Sequence, residues 1–393
     1  MLPAFNFAYP AAIALSIFLS ASICARITSH NTCAKSSKFH EIDGLRGLAA
    51  VLVVLNHMPT SVFGIIDVLP PQWGLHKEDW WTFANFGTTG VRIFFCITGF
   101  LFWQQILSND MNVDWGRFYL RRIARIFPAY FVFATTVTII AMASSDFSLK
   151  VPVAQLAHEI FQQFSFGMLD SSHVNGMRVT FLNAVAWTLA YEWKFYVALP
   201  LLVAVRSNKF LSIFAIAILL FWSLFYDMSY YFLLLFLAGM LSAELLRWIP
   251  RIEVRFANAA ILVLLIASIF VDYLSWNEEI RIVYVVLLTF AIFVCAVFAR
   301  PSLLRARLVV FIGAISYSLY LMHLITMQVI LHAIAKISPL ANWTMQQYLA
   351  YGFVAASLAV LVATAAYHYI EAPFMAAATK RKHERGTSVF MRH

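Results

Sequence analysis

Charge is what this sequence has least of. Only 12% of its 393 residues are Asp, Glu, Lys or Arg, while 62% are hydrophobic; soluble domains carry roughly a quarter charged residues. No soluble fold hides that much apolar surface. The solvent is therefore lipid, and the chain reads as one large membrane domain. Cysteine is scarce too. Cys24, Cys33, Cys96 and Cys295 show no paired spacing, which argues against a disulfide framework and a thiolate metal site; no metal is expected. Low-complexity linkers and a clear internal repeat are also missing.

What is there is a series of apolar runs of about 20 residues, the length a helix needs to cross a bilayer. They fall near 6–26, 42–62, 88–107, 127–145, 183–205, 209–226, 229–247, 255–275, 280–299, 308–335 and 346–375. The fold expected is all-α, a polytopic transmembrane bundle of about eleven spans. The first run lacks a basic segment before it, and Arg26, Lys35 and Lys38 follow it, so it reads as a retained anchor and not as a signal peptide.

The basic residues alternate with the spans. One set of connections holds most of the 28 lysines and arginines, including Arg46, the group Arg117–Arg125, Arg206, Arg247, Arg251, Arg300 and the tail at 377–393. The opposite set holds Lys77, Arg92, Lys150, Arg178, Arg281 and Lys336. By the positive-inside rule the N-terminus lies outside and the C-terminus in the cytoplasm. The net charge of +9 thus reflects topology, and no nucleic-acid partner is needed. Two outer connections are long. Residues 63–87 carry Trp73, Trp80 and Trp81, expected in an interfacial belt. Residues 146–182 hold a helical pattern over Val153–Phe164, suited to lying on the membrane.

Ionisable groups inside spans face a cavity or a partner. The second span, EIDGLRGLAAVLVVLNHMP, carries Arg46 near its cytoplasmic end and His57 eleven residues on, ~16 Å along a helix. An imidazole is the natural general base for a hydroxyl; the plainer alternative is a histidine bonded to a neighbouring helix. The fifth span holds Glu192 and Lys194, two residues apart and so on different faces. Glu192 is expected to orient His57 or the acceptor, or else to form a structural ion pair. Arg117, Arg121, Arg122 and Arg125 crowd into nine residues of RFYLRRIARIFPAY. Arginine forks suit phosphates, and contact with anionic lipid is the rival use. Ser316, Tyr317, Tyr320 and His323 lie in GAISYSLYLMH, and Glu371 in YHYIEAP; His323 and Glu371 read as structural.

Taken together these segments resemble the acyltransferase 3 family of integral membrane O-acyltransferases. The likeness runs from about 39 to 375. It rests on DGLRGLAA with Arg46 and His57 eleven apart, GVRIFFCITGF, Arg-x-x-Arg (Arg122, Arg125) followed by FPAY, Trp187 with Glu192, ISYSLYLMH and YIEAP, in that order. The resemblance implies a ten-helix domain over 39–376, preceded by an extra helix in 1–38 and followed by a basic tail at 377–393. It implies acetyl-CoA or another acyl-CoA as donor, entering from the cytoplasm, and a glycan or lipid-linked glycan as acceptor. His57 is then catalytic with Glu192, and Arg46, Arg121, Arg122 and Arg125 bind the donor. Arg92, Thr98, Lys194 and Tyr320 are the acceptor-side candidates. Thr98, Arg92 and Trp193-Lys194 depart from the family's usual Ser, acidic residue and Glu-Gln, which bears on acceptor identity. The rival readings are a succinyl or longer acyl cargo, a transporter or flippase using the buried charges, and a non-catalytic assembly partner.

Overall fold

The computed structural model describes residues 8–28, 39–64, 73, 77–206, 210, 213, 231–271 and 277–378. Helices account for nearly all of it. They are α1 (Ala8–Ile27), α2 (His40–Thr60), α3 (Lys77–Leu107), α4 (Trp115–Ala143), α5 (Val153–Gln163), α6 (Thr180–Asn183), α7 (Trp187–Arg206), α8 (Tyr231–Leu245), α9 (Ala257–Ile269), α10 (Glu278–Val294), α11 (Arg307–Ala314), α12 (Ser316–Ala335) and α13 (Met345–Ala366). Seven helical segments among the described residues are long and apolar enough to cross a membrane, and the segments Tyr231–Leu245 and Ala257–Ile269 are shorter apolar helices. The chain is an all-α, multi-pass membrane protein. The expected span at 209–226 lies almost wholly outside the described residues, so the count of eleven rests on the sequence alone.

Several boundaries differ from the expected ones. Helix α3 begins at Lys77, not near 88, so much of the expected outer connection is helical. The span expected at 308–335 is two helices that meet at Ile315. Trp73 is not in an interfacial belt. It is buried, stacks on Tyr348 with ring centroids 4.1 Å apart, and donates its indole N–H to the Trp343 carbonyl at 2.8 Å. A buried indole needs a partner for its one donor, and the protein supplies it.

The amphipathic helix expected at Val153–Phe164 is present as α5. It anchors to α4 by a hydrogen bond from the Tyr130 hydroxyl to the Gln163 carbonyl, 2.8 Å. Beside it, His173–Val174 pairs with Met177–Arg178 in a two-stranded hairpin. Its turn is Asn175-Gly176, both at positive φ, as a two-residue hairpin turn demands. Glu159 is buried beneath and accepts from the Asn175 backbone N–H at 2.7 Å.

Close backbone approach sets the helix register around α2. A Cβ on Gly47 would lie 2.3 Å from the Val309 carbonyl oxygen, and one on Gly313 would lie 1.9 Å from that of Asp43. Small residues let membrane helices touch in this way. Helix α1 packs on α13: the Tyr9 ring stacks on Tyr348 at 5.2 Å, and the two hydroxyls are 2.8 Å apart.

The N-terminal end of α2 is tied down by charge. Glu41 is 1% exposed and receives Nη2 of Arg251 at 2.6 Å and Nε of Arg300 at 2.8 Å. Arg300 also approaches Glu253, which pairs with Arg305 at 2.7 Å. Glu41→Gln leaves two arginines facing each other without the counter-charge. Removing one partner of a buried pair costs 3–5 kcal/mol; with both arginines partly exposed, about 2 kcal/mol is expected. Thermal unfolding in detergent should register a clear fall in Tm. An unchanged Tm would show that the network does not hold the helix end.

Candidate functional site

Helices α2, α3, α4, α7 and α12 enclose a cavity of about 320 Å³. Its polar wall is Arg46, Thr98, Gln105, Arg122, Arg125, Thr188, Glu192, Ser316, Tyr317 and Tyr320, set among Val91, Phe94, Phe95, Leu101 and Phe102. Six of the residues singled out in the sequence therefore meet in one place: Arg46, Thr98, Arg122, Arg125, Glu192 and Tyr320.

Helical periodicity explains the convergence. Arg122 and Arg125 are three apart on α4 and share a face. Ser316 and Tyr320 are four apart on α12 and do the same. On α3, Val91, Phe94, Phe95, Thr98, Leu101, Phe102 and Gln105 form the i, i+3, i+4, i+7 stripe that turns toward the cavity.

The arginines are held from behind. The guanidinium of Arg122 lies over the Phe102 ring at 4.6 Å, and its Nε is buried without a hydrogen-bond partner. Arg125 approaches Glu371 at 3.9 Å. Glu371 is fully buried and accepts from the Ser318 hydroxyl at 3.0 Å. Glu371, read as structural from its motif, thus sits directly behind a cavity arginine. Arg46 has Asp43 at 3.9 Å as its intrahelical partner. Glu192 accepts from the Thr98 hydroxyl at 3.2 Å. Three cations and one carboxylate leave this wall net positive, and a low-dielectric enclosure strengthens its field.

The far end of the cavity is closed by Tyr320. Its hydroxyl is 2.7 Å from that of Thr188 and donates to the Val185 carbonyl at 3.1 Å. One turn further along α12 lies His323, fully buried, and its Nε2 is 2.9 Å from Nδ1 of His57. Helices α2 and α11–α12 run side by side, with Gly47 against Gly313 and His57 against His323. On that register Tyr320 is level with about residue 54 of α2, ~12 Å from Arg46 at helical rise. His57 lies beyond Tyr320, at the end away from the arginines.

The expected partnership of Glu192 with His57 takes a different form. The structure brings His323 to the imidazole and leaves Glu192 among the arginines. His323, which reads as structural from its motif, is thus the residue in contact with His57. Its spacing from Ser316 and Tyr320 (i, i+4, i+7) was the available signal, since it places all three on one face.

Besides His57, three expected site residues fall outside the cavity wall. Arg121 precedes Arg122 on α4 and turns away. Lys194 is exposed among the described residues, in a stripe with the exposed Val197 and Leu201, and its ammonium lies over the Tyr191 ring at 5.0 Å. A separation of two residues rotates it about 200° from Glu192. Arg92 is 6% exposed, with Nε and Nη1 lacking partners. It is three residues from Thr89, whose hydroxyl meets that of Ser268 on α9 at 3.1 Å, so it faces away from the cavity. Among the described residues no cluster of His, Cys, Asp and Glu could hold a metal ion.

Comparison with known proteins agrees with this geometry. The acyltransferase domain family matches residues 39–368. A Bacillus subtilis protein provisionally named as a peptidoglycan O-acetyltransferase is 28% identical over 171 residues, 42% of this chain and 23% of that protein. The chain therefore matches under a quarter of that relative's length. A protein of Acidianus two-tailed virus, provisionally named an acetyltransferase, is 23% identical over 321 residues, 77% of this chain and 87% of the relative. No solved structure matches the chain. With the family covering most of the bundle and every wall of the cavity, the chain belongs to the acyltransferase 3 family of membrane O-acyltransferases.

Proposed function

We propose that the protein transfers an acyl group, in the first instance acetyl, from a cytoplasmic coenzyme A thioester to a hydroxyl of a bacterial surface glycan or its lipid-linked precursor. The reaction takes place in the inner membrane, with the N-terminus outside and the C-terminus in the cytoplasm. The observation that carries this reading is the cavity, with Arg46, Arg122 and Arg125 at one end and the His57–His323 pair beyond the other. The basic connections put the arginine end on the cytoplasmic side. Guanidinium forks suit the phosphates of the donor. The cavity volume is at the low end for ligand pockets. It suits the slender pantetheine arm and a short acyl group better than the whole nucleotide, which stays at the arginine mouth.

The chemistry follows from the other end. His57 takes the proton of the acceptor hydroxyl, and the oxygen attacks the thioester carbonyl. The C–S bond then breaks, and the departing thiolate recovers a proton to give free coenzyme A. For the thioester to reach His57, the Tyr320–Thr188 closure must open. Thr98 holds Glu192 against the donor path, and Arg92, which faces away from the cavity, takes no part in this route. A glycan acceptor is favoured by the name of the Bacillus relative. A transporter has no use for a phosphate-binding mouth opposed to a histidine pair, so acyl-CoA consumption by purified protein separates the two classes.

Three outcomes are expected. In a background without native cysteines, Leu149→Cys should react with an impermeant reagent on intact cells and Leu120→Cys should not; both positions are well exposed on the protein surface. The reverse pattern would put the cavity mouth on the wrong side of the membrane.

Arg122→Ala and Arg125→Ala should each weaken acyl-CoA binding roughly ten- to a hundredfold, since a charge-assisted hydrogen bond is worth about 1.5–3 kcal/mol. Lysine at either position should recover only part, because a point charge lacks the planar fork. Binding isotherms unchanged in all four variants would remove the arginines from the donor site.

His57→Ala should keep acyl-CoA affinity near wild type and lower transfer by about 10²–10⁴-fold, the usual contribution of a general base. His57→Gln retains a hydrogen-bonding side chain but cannot cycle a proton, and should be as inactive. Wild-type transfer by His57→Gln would reduce the histidine to a packing residue.

A further inference from the structure

The two histidines form a directed chain. Nδ1 of His323 is 2.9 Å from the carbonyl oxygen of Leu319 on its own helix. A carbonyl only accepts, so this nitrogen carries a proton. His323 is 0% exposed, and both its ring nitrogens are engaged, one by that carbonyl and the other by His57. Among the described residues no carboxylate meets either nitrogen. A charged imidazolium buried with neutral partners is strongly disfavoured, so His323 is neutral and its Nε2 is bare. Two nitrogens 2.9 Å apart need one proton between them. His57 must supply it from Nδ1.

We infer that His323 is the positioning residue of the transfer: it holds His57 as the Nδ1–H tautomer, so that the lone pair on His57 Nε2 is the atom that receives the acceptor's proton. The inference rests on the proposed acyl transfer for its consequence, but not for its geometry. Rigidity supports it. His323 is enclosed on all sides by α12 and its neighbours, whereas His57 is only partly buried. The buried ring is therefore the fixed reference, and the partly buried ring is the one oriented. The ring centroids are 5.1 Å apart and tilted by 32°, so the contact is an edge-on hydrogen bond and not a stack. The nitrogen of an imidazole opposite its bonded one points away from the partner. Nε2 of His57 is thus directed away from His323.

This arrangement differs from a histidine oriented by a carboxylate. When His57 gains the proton, the neutral His323 offers it no counter-charge. The cation is relieved by passing its proton on to the leaving thiolate. A neutral orienting partner therefore favours rapid proton return over storage of charge. The same bare Nε2 would be the attacking atom if His57 carried the acyl group transiently, so the tautomer is required by either route.

The test uses the full-length protein in lipid bilayers, labelled with ¹⁵N-histidine. Solid-state NMR distinguishes Nδ1–H from Nε2–H imidazoles, and the spectrum of His57→Gln identifies the His57 signals by their loss. Wild-type His57 should be the Nδ1–H form, and His323→Ala should convert it to a mixture. An Nε2–H form in the wild type overturns the inference, whatever the activity. In the transfer assay, His323→Ala should lower kcat by about 10²-fold, the scale of a reacting group misplaced by ~1 Å. KM for acyl-CoA should not change. His323→Gln offers an amide oxygen to His57 Nδ1–H and should restore a substantial part of kcat. Full kcat in His323→Ala overturns the proposal, and so does a glutamine variant that folds, binds donor and recovers nothing. Should His323→Ala not fold, the wild-type tautomer and the glutamine variant decide. If His57→Ala itself transfers normally, the proposed reaction fails, while the NMR result still stands or falls separately.

Discussion

A charge inside a lipid-facing bundle has to be matched from within the protein, and that constraint organises this structure. Lipid offers no water to an arginine or a carboxylate, so each must find a counter-charge, a hydrogen-bond partner or a cavity. At the N-terminal end of α2, Glu41 gathers Arg251 and Arg300 from two other connections. Glu244 on α8 does the same for Arg206 on α7, with a bidentate pair at 2.7 and 2.9 Å, and it also accepts from Trp103 on α3 at 2.9 Å. These matched sets cross-link the helices at one end of the bundle. The cavity lies just beyond them, and there the matching is deliberately incomplete. Glu371 reaches Arg125 only at 3.9 Å, and Nε of Arg122 has no partner. On the proposed function, a bound anion completes what the protein leaves uncompensated.

The same constraint explains which parts of the fold were legible in the sequence. Long apolar runs reported the helices because lipid tolerates nothing else, and the alternation of basic residues ordered them. Boundaries were harder. Helix α3 starts well before the hydrophobic stretch, and Thr82, Phe83, Asn85 and Phe86 in its added turns are buried against protein, so hydropathy alone began it too late. Trp73 was assigned to the interface by composition, yet Tyr348 and the Trp343 carbonyl capture it. A partner more than 270 positions away in the chain leaves no local trace. The break at Ile315 was likewise invisible, since both halves are equally apolar.

Within the site, residues on a shared helical face were readable and pairings across helices were not. Arg122 with Arg125, and Arg46 with His57 eleven residues on, are spacings along a helix. They predicted the cation wall and its distance from His57. Lys194 and Arg121 adjoin the right residues in the chain but turn the wrong way, because neighbours on a helix diverge by about 100° per residue. The Glu192–His57 expectation matched two groups by depth without knowing their azimuth. Glu192 faces Thr98 on α3, and the depth it shares with His57 is not a shared face.

Helix α12 resolves how two separated sites serve one reaction. Ser316, Tyr320 and His323 occupy one stripe of it, at i, i+4 and i+7. The first lines the cavity, the second closes it against Thr188 and Val185, and the third holds the base. The stripe rises ~10 Å over those seven residues, the greater part of the ~16 Å that separates Arg46 from His57 along α2. Tyr320 is hydrogen-bonded to α7 and stands one turn below His323, so on the proposed function an opening of the tyrosine admits the acyl carbonyl beneath the histidines. A rigid helix that carries the wall, the barrier and the positioning residue keeps the three in register without help from a loop. The cost of burying an imidazole and a phenol on one helix face is then understandable: His323 is satisfied by the Leu319 carbonyl and His57, Tyr320 by Thr188 and the Val185 carbonyl, and on the proposed function only the Tyr320 contacts need to be exchanged for the substrate's.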